Sequence, residues 1–283
     1  MDVAASSWAK RWLRVFFALL VAFLYAPIVI LAIFSMNSGD ISFPLEGFTT
    51  EWYRRALTNP HLLGALRRSL VVASFSSVIA VALGVLLAFA LLRRRFPGKP
   101  AVSALAFSPL VVPYVVFGIS LLILFTALDK FLTATMGTYI GLGLHAIVIG
   151  HVVVSLPYAI LTIMPLLEQL SVTLDEAARD LGADGWSTFR RVTLPLLTPA
   201  LVSAFLIAFT LSFDEYAIAS FLAGTEPTWP VYLFAQLRVP SQLPQLLAVS
   251  SIVLVVSLAV VLSAEIGRRV VARKTGIGAD TAL

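Results

Sequence analysis

Residues 69–92 read SLVVASFSSVIAVALGVLLAFALL, Ser69 to Leu92 without one charged side chain. About 20 such residues in a helix cross the roughly 30 Å hydrocarbon core of a bilayer. The stretch is too long for a strand, and it lacks the apolar/polar alternation of a barrel wall. With no water in the bilayer core to satisfy peptide groups, a helix that closes its own hydrogen bonds is the remaining solution. Working outward, five more stretches have the same character, at about 13–34, 102–128, 140–167, 196–223 and 246–264. The expected fold is an all-α membrane protein, a bundle of six transmembrane helices. The expected segmentation is a short N-terminal piece over 1–12, one transmembrane domain over 13–267 and a tail over 268–283. The apolar core of the first stretch is too long for the usual secretory leader and no small-x-small cleavage site follows it, so an uncleaved first helix is expected.

Composition agrees. Of the 283 residues 59% are hydrophobic and 12% charged, where a soluble domain carries about 25% charge. There is no cysteine, hence no disulfide, no thiolate nucleophile and no cysteine-built metal site. The net charge of +5 is read as topology rather than as a nucleic-acid surface, and no nucleic-acid partner is expected. Fourteen of the 20 basic residues fall before span one, between spans two and three, between four and five, or after span six. That excess places both termini and the loop 168–195 in the cytoplasm, with the chain multi-pass in its membrane. Arg54, Arg55, Arg67 and Arg68 oppose the trend and fit an amphipathic external segment that includes a short helix over Glu51 to Leu57.

The inside loop from Glu168 to Pro195 is the longest on its side. Thr173 or Asp175 is suited to cap a helix beginning at Glu176. Glu176, Ala177, Ala178, Arg179 and Leu181 favour helix, Gly182 allows a left-handed cap or turn, and a second short helix is expected over Trp186 to Val192. The small side chains Ala177, Ala178 and Gly182 let another surface approach closely. An ordinary solvated helix–turn–helix fits the residues equally well.

The run Glu176-Ala177-Ala178, three residues, Gly182, nine residues, Val192, one residue, Leu194-Pro195 resembles the EAA loop of ABC importer permeases. It departs from the family pattern only in Val192 for isoleucine. The resemblance extends through SLVVASFSSVIAVALGVLLAFALLRRRFPGK and FTLSFDEYAIASFLAG and is strongest to the second permease subunit of spermidine/putrescine-type importers. It implies a bundle of the type I importer kind. It also implies coupling helices in which Glu176, Ala177, Ala178 and Gly182, flanked by Arg179 and Asp180, meet a cytoplasmic ATPase dimer. The further partners implied are a second permease subunit and an extracytoplasmic solute-binding protein. No G-x-x-x-x-G-K-[ST] phosphate loop occurs, so the chain is a transport subunit that binds no cofactor, and ATP and Mg belong to the partner ATPase.

Within the spans, Asp214 and Glu215 stand out, roughly 13 Å from the outer end of a continuous fifth helix at 1.5 Å per residue. Carboxylates at that depth face a cavity or a partner. With Thr210 at i, i+4 from Asp214, and with Ser212, they are candidates for a path carrying a cationic amine. Two other readings stay open: pairing with Arg238, and capping a break in the helix. His145 and His151 face differently on span four, with no carboxylate beside them in sequence. A metal site is not expected, and a hydrogen bond from His151 to a neighbouring helix is. Pro109, Pro113, Pro157 and Pro165 are expected to kink or break spans three and four. That makes Pro157-Tyr158 a candidate gate wall, against simple packing bends. Gly118, Gly141, Gly143 and Gly150 are expected to allow close helix approach. An ion-gradient-driven transporter would give the EAA loop no role, and a membrane enzyme would need a catalytic cluster that the sequence lacks.

Overall fold

The computed structural model describes residues 7–39, 43–170 and 172–275. Among them the chain is helical, with one isolated bridge between Asn37 and Phe48. Six helices are long and apolar enough to cross a membrane. The chain divides into two compact units: residues 1–60 with 235–259, and residues 61–234 with 260–283.

In the first unit, α1 (Ser7–Phe34) carries no charge after Arg14, and none of its most apolar stretch is buried. It runs into a short irregular segment and then α2 (Glu51–Thr58), the interfacial helix expected from Trp52 and Tyr53. Polar groups anchor α2. Trp52 Nε1 donates to the Asn37 carbonyl at 2.7 Å, and Tyr53 Oη lies 2.6 Å from Ser35 Oγ and 2.9 Å from Ser251 Oγ. Asn37 is fully buried and organises the turn. Its amide donates to the Pro44 carbonyl at 2.8 Å, and its carbonyl accepts from Glu46 N–H at 2.9 Å. The turn signal at Gly39-Asp40 falls partly outside the described residues.

The second unit holds α3 (Pro60–Arg93), α4 (Lys99–Phe107), α5 (Tyr114–Met136) and α6 (Leu144–Gln169). Next come α7 (Val172–Asp180), α8 (Gly185–Thr188), α9 (Leu194–Phe213) and α10 (Ala217–Leu222). The helices α11 (Trp229–Gln236) and α12 (Leu243–Thr275) complete the chain. More than half of the most apolar stretch of α6 is buried, which makes it the central helix. It packs along α9 through Ala159, Ile163, Leu167, Leu197 and Ala204. At its other end Ala146, Ile147 and Val154 pack with Ile218, Ala219 and Leu222 of α10. Small residues set these distances. A Cβ on Gly150 would lie 2.7 Å from Ile218 Cγ2, and one on Gly118 3.2 Å from the Ile218 Cα. So α10 nests against α5 and α6 where neither carries a side chain. Gly141 and Gly143 instead belong to the turn before α6, with positive φ.

Two spans differ from their sequence boundaries. The third, expected over 102–128, is interrupted. α4 ends at Phe107, a 3-10 turn spans Ser108–Leu110, and the long helix begins only at Tyr114 and continues to Met136. Pro113 lacks an N–H and disfavours helix in Val112, so the break falls where these proline effects coincide. The fifth, expected as one helix to about 223, stops at Phe213 and resumes as α10. Pro157 and Pro165, by contrast, lie inside a continuous α6.

Candidate coupling loop and transport path

In the loop after α6, α7 starts at Val172, so Glu176 sits inside the helix rather than at its first turn. Val172, Thr173 and Leu174 extend the helix backward, which displaces the cap expected at Thr173 or Asp175. Those two side chains, and that of Arg179, lie outside the described residues. Glu176, Ala177 and Asp180 are exposed and Ala178 is half-buried. The helix is closed by Gly182 at φ +85°, with Ala183 N–H bonded to the Ala178 carbonyl at 3.0 Å and Leu181 N–H to Ala177 at 3.2 Å. Glycine reaches that backbone region without the Cβ clash.

The second helix is shorter than expected. α8 covers one turn, and Phe189–Thr193 is a π-turn that leads without interruption into α9. Asp184 caps α8. Its carboxylate accepts from Ser187 N–H at 3.0 Å, and its interactions with Ser187 hold that carboxyl below the usual range. Trp186 stacks on Phe189 at 5.8 Å, and Phe189 meets Phe89 of α3 edge-on at 5.7 Å. The loop is thereby seated on the end of α3. Arg93 adds a second tie: its Nη2 donates to the Leu167 and Leu170 carbonyls at 3.2 and 2.5 Å. It so satisfies two of the carbonyls that the end of α6 leaves open. In the sequence Arg93 counted only as one member of a basic cluster. A cavity of about 830 Å³ lies between these elements, with Arg93, Arg94 and Glu176 among its lining residues.

The break in span five separates the two acids. Asp214 is the last residue of α9's final turn, with its N–H on the Thr210 carbonyl at 3.2 Å. Its side chain is exposed, and among the described residues it has no hydrogen-bond or ion-pair partner. Glu215 is 5% exposed and fully engaged. Its carboxylate accepts from Ile218 N–H at 2.9 Å and from Ala219 N–H at 3.0 Å, the free donors at the start of α10. His151 Nε2 lies 3.1 Å away. An ionised carboxylate only accepts, so this pattern assigns a proton to Nε2. His151 Nδ1 is 2.7 Å from Ser212 Oγ, which lies 2.9 Å from Ser76 Oγ on α3.

Of the readings left open for the acids, Glu215 caps the break, and neither acid is in an ion pair with an arginine among the described residues. His151 makes the expected bond to a neighbouring helix, but a carboxylate does stand beside it. The sequence reading missed that because the two are 64 positions apart. Thr210 does not extend the polar path through its hydroxyl proton, which it donates to the Leu206 carbonyl at 2.9 Å. Tyr158 is half-buried, with its phenol beside that of Tyr114 at the start of α5. No group of three or more metal-ligating side chains occurs among the described residues.

Residues 80–277 match the family of binding-protein-dependent transport system inner membrane components. The chain belongs to that family. It is 36% identical over 254 residues to the spermidine/putrescine transport system permease protein PotC of Escherichia coli strain K12, covering 89% of this chain and 91% of that one. It is 35% identical over 245 residues to the putrescine transport system permease protein PotI of the same organism, covering 86% and 85%. It is 34% identical over 236 residues to the sulfate transport system permease protein CysT of the same strain, covering 77% and 83%. Its fold is similar to that of a chain in a bacterial ABC transporter involved in the import of the acidic polysaccharide alginate, with a TM-score of 0.74 at 15% identity, covering 92% and 94%. As an inner membrane permease of this family, the chain is a transport subunit, and the ATPase is a separate chain.

Proposed function

We propose that this permease carries a polyamine such as putrescine or spermidine across the inner membrane. The solute is delivered by an extracytoplasmic binding protein, and transport is driven by a cytoplasmic ATPase dimer. The relatives alone leave the charge of the solute open, because one of them is named for sulfate and two for polyamines. The observation that carries the choice is Asp214, a carboxylate without a partner among the described residues, at the break that ends the fifth membrane-spanning helix. A negative group there attracts an ammonium and repels a sulfate.

A second permease subunit, a different homologous chain, completes the path. Both termini and the loop 168–195 lie in the cytoplasm, as the arginine distribution indicates. The ATPase is met by the exposed face of α7 around Glu176, Ala177 and Asp180, with Gly182 turning the chain. Two-state rigid-body switching of the loop then alternates access to the path.

The test is uptake of labelled putrescine, spermidine and sulfate by the complete complex in proteoliposomes. Polyamine uptake that needs a working ATPase is expected. Uptake that persists with the ATPase inactivated removes the coupling reading. Transport of sulfate in place of polyamine removes the substrate assignment.

A further inference from the structure

The hydrogen-bonded chain behind the span-five break goes beyond both motif and family. Ser76, His151, Ser212 and Glu215 are each at most 5% exposed and come from α3, α6, α9 and the break itself. Each of the four side chains lies within hydrogen-bond distance of the next. Ser76 Oγ donates to the Val72 carbonyl at 2.7 Å and meets Ser212 Oγ, Ser212 meets His151 Nδ1, and His151 Nε2 reaches Glu215. Glu215 then holds the first free N–H groups of α10. The neighbouring Asp214 takes no part.

We infer that His151 is a positioning residue for Asp214. It acts through Glu215, whose carboxylate it orients and keeps committed to α10. With Glu215 so held, α9 ends at Phe213, and the Asp214 carboxylate is displayed at a fixed place. The same contact explains why two adjacent acids have opposite fates: one is a cap that cannot reach solute, the other is available. Without the Nε2 donor, Glu215 keeps two backbone partners but loses the one that fixes its orientation across the helices. The break then relaxes and position 214 turns. This inference rests on the reading of Asp214 as a path residue, and its test separates the two.

Glutamine and asparagine divide the imidazole. The Gln amide nitrogen reaches the position of Nε2, the Asn amide that of Nδ1. The natural chain has no cysteine, so D214C is the only thiol in this subunit. Its rate of modification by a cationic methanethiosulfonate reports the placement of residue 214 without reference to activity. In assembled complexes, H151Q is expected to leave that rate within about twofold and H151N to change it at least fivefold. E215Q, which disturbs the same contact from its other end, is expected to change it in the same direction as H151N and remains informative if H151N fails to assemble.

In chains that keep Asp214, H151N is expected to lower polyamine uptake about tenfold and H151Q less than twofold. The H151N/D214N pair is expected to lose no more than D214N alone. Equal labelling in the H151Q, H151N and E215Q backgrounds, or losses that multiply in the double variant, overturns the positioning role while leaving the Asp214 reading intact. Unchanged uptake in D214N overturns the Asp214 reading and the inference with it.

Discussion

At the scale of single residues, the scarcity of charge makes each charge informative, but only packing tells which carboxylate is free. Asp214 and Glu215 have the same chemistry and adjacent positions, yet Glu215 has three donors and Asp214 none among the described residues. Leaving a buried donor without its acceptor costs about 1–3 kcal/mol, and Glu215 accepts from the N–H groups of Ile218 and Ala219. Glu215→Ala is therefore expected to lower the yield of folded, assembled permease, measured by size-exclusion chromatography in detergent. Asp214→Asn, at an exposed side chain, is expected to assemble normally and lose at least about tenfold in polyamine uptake. Glu176→Lys belongs to the same scale. It reverses an exposed charge on α7 and is expected to reduce solute-stimulated ATP hydrolysis without affecting membrane insertion. Normal coupled hydrolysis in this variant would reject the contact.

At the scale of elements, glycines and caps decide where helices stop and how closely they pass. Gly182 ends α7 at φ +85°, a region that costs an L-residue roughly 1–2 kcal/mol. Gly182→Trp is expected to deform the α7–α8 turn, with weaker ATPase co-purification as the readout. Gly150→Leu would drive a side chain into Ile218, 2.7 Å from the Cβ position. Overpacking of this kind costs about 1–3 kcal/mol, and a lower melting temperature of the purified complex is expected. In α2, Arg54 and Arg55 hydrogen-bond to Glu51 and hold its carboxyl down at about 2. A depressed carboxylate pKa contributes fully above the ordinary value of 4.5 and fades as pH falls toward about 2. The Glu51 carboxyl resonance is thus expected to stay at its ionised position down to about pH 3.

At the scale of the whole molecule, the apolar stretches span the bilayer, and the proposed orientation follows the basic residues. A membrane-impermeant maleimide applied to intact spheroplasts is expected to label Thr58→Cys and to spare Ser187→Cys. The reverse pattern would invert the proposed topology. From Val15 to Phe34 α1 carries no charged side chain, and its most apolar stretch is unburied, a surface suited to lipid or to another apolar helix.

Span number and helical class were readable from residue order, because hydrophobic length acts locally and needs no partner. The turn at Gly182 was readable for the same reason. The breaks were half readable. Pro113 announced one in span three, whereas FTLSFDEYAIASFLAG carries no proline or glycine before Gly224 and reads as one span, with a break capped by the acids as an open alternative. At its interruption Glu215 caps α10 and also meets a histidine on another helix, and no local pattern encodes a pair 64 residues apart. The Arg93 clasp on the end of α6 and the fates of Asp214 and Glu215 were invisible for the same physical reason. The energy of a buried polar group is set by which donors surround it, and only the folded arrangement of α3, α6, α9 and α10 supplies them.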